Sequence, residues 1–193
     1  ENWQVPHAAS RAPLTADQGR AAMEGLSTRV QLLKGPPGTG KTVTTAASIL
    51  ARIAARIRTG GIVLVAAHTH LAVETLMGRL EHYLESFCAE AARHGLEMPP
   101  VTLSRCHSSN PPPDDPARAT KNFPSRPCAR PVGRWIKDGV LVIGGTTSAL
   151  LKMAEELCQR GPFRNAHDGF QAEMLVVDEA SMMVFPHFLS LAT

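Results

Sequence analysis

The sequence predicts an α/β domain built on a doubly wound parallel sheet. Three observations carry that prediction: short runs of Val, Ile and Leu alternating with helical patterns, a glycine-rich loop between one such run and a helix, and a pair of acids closing a later run. Runs that are apolar at nearly every position suit strands covered on both faces, as parallel strands are. Strand-helix alternation then calls for right-handed crossovers that lay helices over the sheet.

Residues Thr15 to Leu26 read as a short helix, because Thr15 followed by Gln18 forms a capping box. A strand is expected at Val30 to Lys34 and a helix at Lys41 to Arg58. The pattern repeats with a strand at Ile62 to Ala67 and a helix at Leu71 to Arg93, then a strand at Val140 to Ile143 and a helix at Ala149 to Arg160. Met174 to Val177 forms the last strand, with a helical start at Ser181. A chain of 193 residues that is 44% hydrophobic is long enough for one such domain with a sizeable core.

Composition excludes several classes. No apolar run approaches the roughly 18 residues of a membrane span, and the start, Glu1-Asn2-Trp3-Gln4, lacks the basic and apolar regions of a leader. A cytoplasmic protein is expected, or a nuclear one if the source is eukaryotic, with no membrane partner. Cys88, Cys106, Cys128 and Cys158 form no C-x-x-C pair, so neither a disulfide framework nor a zinc ribbon is indicated. A net charge of +3 does not by itself decide for nucleic acid. The first residue is not methionine, and the helix-like stretch Ser181 to Thr193 stops without a cap, so a piece of a longer protein is expected.

One region departs from the alternation. Nine of the fifteen prolines lie between Pro99 and Pro131, without helical or strand periodicity, and predict an insert over about residues 94–137. Its second part carries Arg118, Lys121, Arg126, Arg130, Arg134 and Lys137 together with Phe123 and Trp135. Cations interleaved with rings suit a single-stranded nucleic acid, and Arg126, Arg130 and Arg134 are candidate contacts. The alternative is a solvated surface loop.

Gly35-Pro36-Pro37-Gly38-Thr39-Gly40-Lys41-Thr42 matches G-x-x-x-x-G-K-[ST] in the strand-to-helix setting that this phosphate loop requires. Its glycines let backbone N–H groups wrap the phosphates, the following helix adds positive potential, and Lys41 neutralises the terminal phosphates. Gly35 to Thr42 and the adjoining Val43 are therefore candidate ATP contacts, and Thr42 supplies a hydroxyl to Mg²⁺. The Mg²⁺ partner is expected at the end of a later strand, where Val177 is followed by Asp178 and Glu179. Asp178 is the candidate metal carboxylate and Glu179 the base that activates the attacking water.

Further motifs resemble those of superfamily 1 helicases. Leu14-Thr15-Ala16-Asp17-Gln18 resembles the family's adenine-reading glutamine motif, although Gln18 also completes the capping box and the two roles can coexist. Ala66 to Leu76, with His68, Thr69 and His70, resembles the motif in which a strand end and helix N-terminus grip strand phosphates. Its bland alternative makes Thr69 an N-cap and the histidines surface residues. Gly144-Gly145-Thr146-Thr147-Ser148 resembles another strand-binding motif, implicating Thr146, Thr147 and Ser148, and Asp178-Glu179-Ala180-Ser181 resembles the family's acidic box.

The likeness is greatest to the branch of up-frameshift and immunoglobulin-mu-binding helicases, and it fails in the Pro-rich insert. It implies a first RecA-like P-loop NTPase domain that binds ATP and Mg²⁺ and acts on single-stranded DNA or RNA. It further implies a second RecA-like domain in the full-length protein, which supplies arginines to the ATP site and without which unwinding is not expected. Two readings from other classes compete: an AAA+ type remodelling ATPase, and a non-motor nucleotide-sensing module.

Overall fold

The computed structural model describes residues 14–57, 59–163, 170–183, 186 and 190. Among these, five strands pair in one all-parallel sheet: β1 (Ile62–Ala67), β2 (Val101–His107), β3 (Lys121–Pro124), β4 (Val140–Thr146) and β5 (Met174–Val177). Their spatial order is β3-β2-β4-β1-β5. β1 and β4 are buried at every residue, as central strands of a parallel sheet are. The helices are α1 (Ala16–Glu24), α2 (Lys41–Arg56), α3 (His70–Arg93), α4 (Ala129–Asp138) and α5 (Thr147–Arg160). None of the described helices is long and apolar enough to cross a membrane.

The chain divides into two compact units, Glu1–Ile57 with Gly78–Pro99 and Arg58–Met77 with Pro100–Thr193. The second holds the sheet. Alternate residues of a strand face opposite sides, so Ile62, Leu64 and Ala66 of β1 and Leu141 and Ile143 of β4 point to one face. There they join Ala149, Leu150, Met153 and Leu157 of α5 and Val132 of α4 in a single buried cluster. The opposite face of β4 receives the start of α3. A Cβ on Gly144 would lie 2.6 Å from Met77 Cγ and 3.0 Å from Val73 Cγ1, so only glycine fits beneath that helix. Helices on both faces make the sheet doubly wound, as the sequence predicts.

The first unit carries α1 and α2. The capping box forms: Thr15 Oγ1 accepts from Gln18 N at 3.3 Å, and Gln18 Oε1 accepts from Thr15 N at 2.9 Å. Arg52 of α2 donates to the carbonyls of Gly25 and Thr28, tying α2 to the turn that ends α1. α2 buries Ile49, Leu50 and Ile53 completely along one side, the amphipathic face that its sequence predicts.

Two expectations are corrected. Val30 to Lys34 is not a strand: it pairs with no strand, and Val30 and Leu32 are 81% and 88% exposed. An apolar run becomes a parallel strand only where a ladder and cover on both faces are available to it, and this one has no ladder. The Pro-rich stretch, expected to lack strand or helix periodicity, contains β2, β3 and α4. Pro131 sits where it costs little, in the first turn of α4, whose N–H groups have no intrahelical acceptor anyway.

Several ends shift. α3 begins at His70 and α5 at Thr147, each earlier than expected, and β4 runs on to Thr146. At Ser181 the described backbone makes only a short 3₁₀ turn, Ala180–Met182. Arg58, and most of the stretch expected to be helical after Ser181, lie outside the described residues.

Candidate functional site

The phosphate loop is held by its own atoms. Gly38 and Gly40 adopt φ of 79° and 78°, a left-handed region open to glycine and strained for other residues. Those two turns swing the chain into α2, whose first residue is Lys41. Lys41 Nζ donates to the carbonyls of Gly35 at 2.8 Å and Pro36 at 2.9 Å, and Thr39 Oγ1 donates to Pro36 O at 2.8 Å. Three carbonyl contacts thus close the loop around its lysine. Thr42 and Val43 follow in the first turn of α2, half-buried.

Gln18 is bound to this loop. Its Nε2 donates to Thr39 O at 3.0 Å while its Oε1 holds the α1 cap. A Cβ on Gly40 would lie 2.5 Å from that nitrogen, so the glycine also makes room for the glutamine. An amide offers two donor and two acceptor positions, of which these contacts use one each.

In the second unit, parallel pairing puts every strand's carboxyl end on one edge of the sheet, the edge where α/β folds bind ligands. Three adjacent ends hold predicted residues. Thr146 ends β4 with Thr147 and Ser148 behind it, His68 to His70 follow β1, and Asp178 and Glu179 follow β5. Asp178 N donates to Ala66 O at 2.9 Å, extending the ladder by one bond, and Asp178 Oδ1 accepts from Glu179 N at 3.0 Å. Glu179 has φ 53° and ψ 41°, and among the described residues it is the one non-glycine in the left-handed region. Such backbone costs on the order of 1–3 kcal/mol and gathers at functional sites.

His68, Thr69 and His70 are exposed, and Thr69 Oγ1 accepts from Ala72 N at 3.1 Å. Thr69 therefore caps α3, as its bland alternative holds. The Thr146 and Ser148 hydroxyls stand 3.5 Å apart, Thr146 and Thr147 are buried, and Ser148 is exposed.

The basic stretch differs from its expected form. Phe123 is buried and meets Trp135 edge to face with centroids 5.5 Å apart, so both rings are engaged in packing and are not open stacking platforms. Arg126 pairs with Glu155 and donates through Nε to Lys152 O. Arg130 and Arg134 are exposed on α4.

Sequence reasoning missed a charged cluster beside His70. Glu74 Oε1 lies 3.5 Å from both Arg105 Nη1 and Arg118 Nη1, and the His70 ring stacks on that of His107 at 6.0 Å. His107 Nε2 is 3.0 Å from Asn122 Oδ1. Burial pushes His107 below the usual imidazole range, reinforced by Arg105 and His70, while the Asn122 hydrogen bond and Glu74 oppose the shift. Alternation in Val101-Thr102-Leu103-Ser104-Arg105 was the signal that could have found it. Burial also raises the thiols of Cys106 and Cys128, the latter to about 12, so neither is a nucleophile at neutral pH.

A glycine-lined lysine loop and an acidic strand end in an α/β, RecA-like fold define a P-loop NTPase domain. Residues 18–193 match the family model AAA_19, an AAA domain, and the chain belongs to that family, whose domain is found in superfamily 1 helicases. No curated protein and no solved structure matches the chain significantly.

Proposed function

We propose that the chain is the first motor domain of a superfamily 1 helicase or translocase of the up-frameshift and immunoglobulin-mu-binding branch, driven by ATP along single-stranded DNA or RNA. The observation that carries this reading is the Gln18 contact to Thr39, which couples the upstream glutamine motif to the phosphate loop. The matched family domain also begins at Gln18. A remodelling ATPase would need a different adenine pocket.

Lys41 exchanges its two loop carbonyls for the terminal phosphates, and the loop N–H groups take the remaining phosphate oxygens. Thr42 and Asp178 offer a hydroxyl and a carboxylate, the hard oxygen donors that Mg²⁺ takes alongside phosphate and water. When bound, the ion neutralises charge developing on the transferred phosphoryl group. Glu179 accepts a proton from the attacking water. His68 to His70, Thr146 to Ser148 and the basic residues Arg126, Arg130 and Arg134 contact the strand. A second RecA-like domain in the same full-length protein supplies the missing cations, so this chain alone turns over slowly and does not unwind.

Paired variants test the reading. Lys41→Ala should weaken Mg-ATP binding by about 10- to 100-fold, the weight of one charge-assisted hydrogen bond, with an unchanged melting curve. Glu179→Gln should bind ATP as before and lose hydrolysis. Titration with a fluorescent ATP analogue and phosphate-release assays with and without oligonucleotide separate the two. Unchanged affinity and turnover in folded Lys41→Ala overturns the phosphate-loop assignment, and full activity in Glu179→Gln moves the base elsewhere. Turnover indifferent to oligonucleotide, measured with the complete motor, favours the nucleotide-sensing module.

A further inference from the structure

Two imidazole rings meet where the candidate strand contacts converge. His107 closes β2 and His70 opens α3. β2 and β4 stay in register as far as Cys106 opposite Gly145, and β4 and β1 as far as Thr146 opposite Ala67. His107 is therefore the next residue along β2 beside Thr146, and His70 lies just past Ala67. Arg105 pairs with Gly144, and residues two apart in a strand share a face, so His107 lies on the side of the sheet that receives the start of α3. There the rings stack, 11° from parallel with centroids 6.0 Å apart, within the range of offset stacking.

The inner ring is fixed and the outer one is open. His107 is half-buried, with its Nε2 3.0 Å from Asn122 Oδ1. Asn122 is itself held by the Pro-rich segment, since its backbone N donates to Asp114 Oδ1 at 2.6 Å and its Nδ2 to Pro113 O at 3.5 Å. A carboxamide oxygen only accepts, so His107 Nε2 donates and the ring plane is set. Burial keeps His107 below the usual imidazole range, and at neutral pH it stands uncharged behind His70. His70 is exposed, and the cap of α3 falls to Thr69, not to it.

Resting on the strand-binding reading above, we propose that His70, backed by His107, is a stacking platform for one base of the single strand. Every base has a π face, so such a platform accepts any sequence. Asn122 and the Pro-rich segment are its positioning support. The insert then serves the strand by setting His107, while its own rings, Phe123 and Trp135, stay packed against the core.

The test compares two labelled strands by fluorescence anisotropy at about pH 8, above the ordinary imidazole range: an oligothymidylate, and a strand of equal length whose sugars carry no base. The parent should prefer the thymidylate. His70→Ala should weaken that binding by about fivefold or more, the lower end for one stacked base. It should leave the abasic strand and the salt slope as they were, because stacking releases no counterion. His70→Phe should restore the preference for bases, and His107→Leu should reduce it without moving the slope. The proposal falls if either His70→Ala or His107→Leu keeps the full preference, or if His70→Ala weakens both strands alike. Thr146→Ala judges the strand-binding reading separately and should weaken both strands alike. A parent chain that binds neither strand at low salt removes that reading and the platform with it.

Discussion

His107 illustrates how one side chain reports the physics of its surroundings. Burial depresses its proton affinity, Arg105 and His70 add to the effect, and the bond to Asn122 and the charge of Glu74 oppose it. The unfolded chain, with an imidazole near pH 6.5, therefore takes up its proton at a higher pH than the folded chain. Its contribution to stability is full above that value and is lost as pH falls through it toward the lower folded value. Thermal melts between about pH 7.5 and 5 should show the parent losing more melting temperature on acidification than His107→Gln, which keeps a polar partner for Asn122 and cannot titrate. Equal losses in the two proteins would show that His107 is protonated as easily folded as unfolded. Glu179 carries a different burden at the same scale: its left-handed backbone is strain placed on the residue assigned as base, and a motif alone gives no sign of it.

At the scale of elements, α4 shows what can be read in advance and what hides. Val132, Trp135 and Ile136 stand at helical spacing and pack on the core, while Arg130, Arg134 and Lys137 recur at i, i+4 and i+7 on the exposed side. That period lies in the sequence, but surrounding prolines conceal it, because a proline in a first turn looks like a breaker although it removes no helical hydrogen bond. β3 hides for another reason. Lys121-Asn122-Phe123-Pro124 is short, and it is a strand only because β2 offers it a ladder. β1, apolar and buried throughout, and β5, apolar and mostly half-buried, are legible to the residue. Val30 to Lys34, with Val30, Leu32 and Leu33 apolar and Gln31 and Lys34 polar, fails, since a largely apolar run states a capacity to pair and leaves the partner unnamed. The exposed side of α4 carries a prediction. Reversing Arg130 and Arg134 to Glu should lower oligonucleotide affinity and flatten its salt dependence by up to about 0.7 for each phosphate left without its cation, with little change in melting temperature because both side chains are exposed. Filter binding across a salt series checks it, and an unchanged slope makes α4 a solvated face.

For the molecule as a whole, the question is which kind of nucleotide-driven machine the chain serves, and Gln18 bears on it most directly. The residue spends one acceptor position on the Thr15 cap and one donor position on the Thr39 carbonyl. One donor and one acceptor remain on the amide. An adenine edge offers the matching pair, N7 as acceptor and the exocyclic N6 as donor, whereas guanine presents two acceptors, N7 and O6. A glutamine that reads the base should therefore prefer ATP over GTP, and one that only caps α1 should be indifferent. Gln18→Glu separates the roles better than alanine does. The carboxylate can still accept from Thr15 N, so α1 keeps its cap, yet it cannot donate to adenine N7 or to Thr39. We expect a melting temperature close to that of the parent and a loss of ATP preference of about 5- to 100-fold, the worth of one bidentate base contact. Competition of ATP and GTP against one fluorescent nucleotide measures it. If the preference survives in a folded Gln18→Glu variant, base recognition rests elsewhere, and the helicase reading loses the observation that distinguishes it from other P-loop machines.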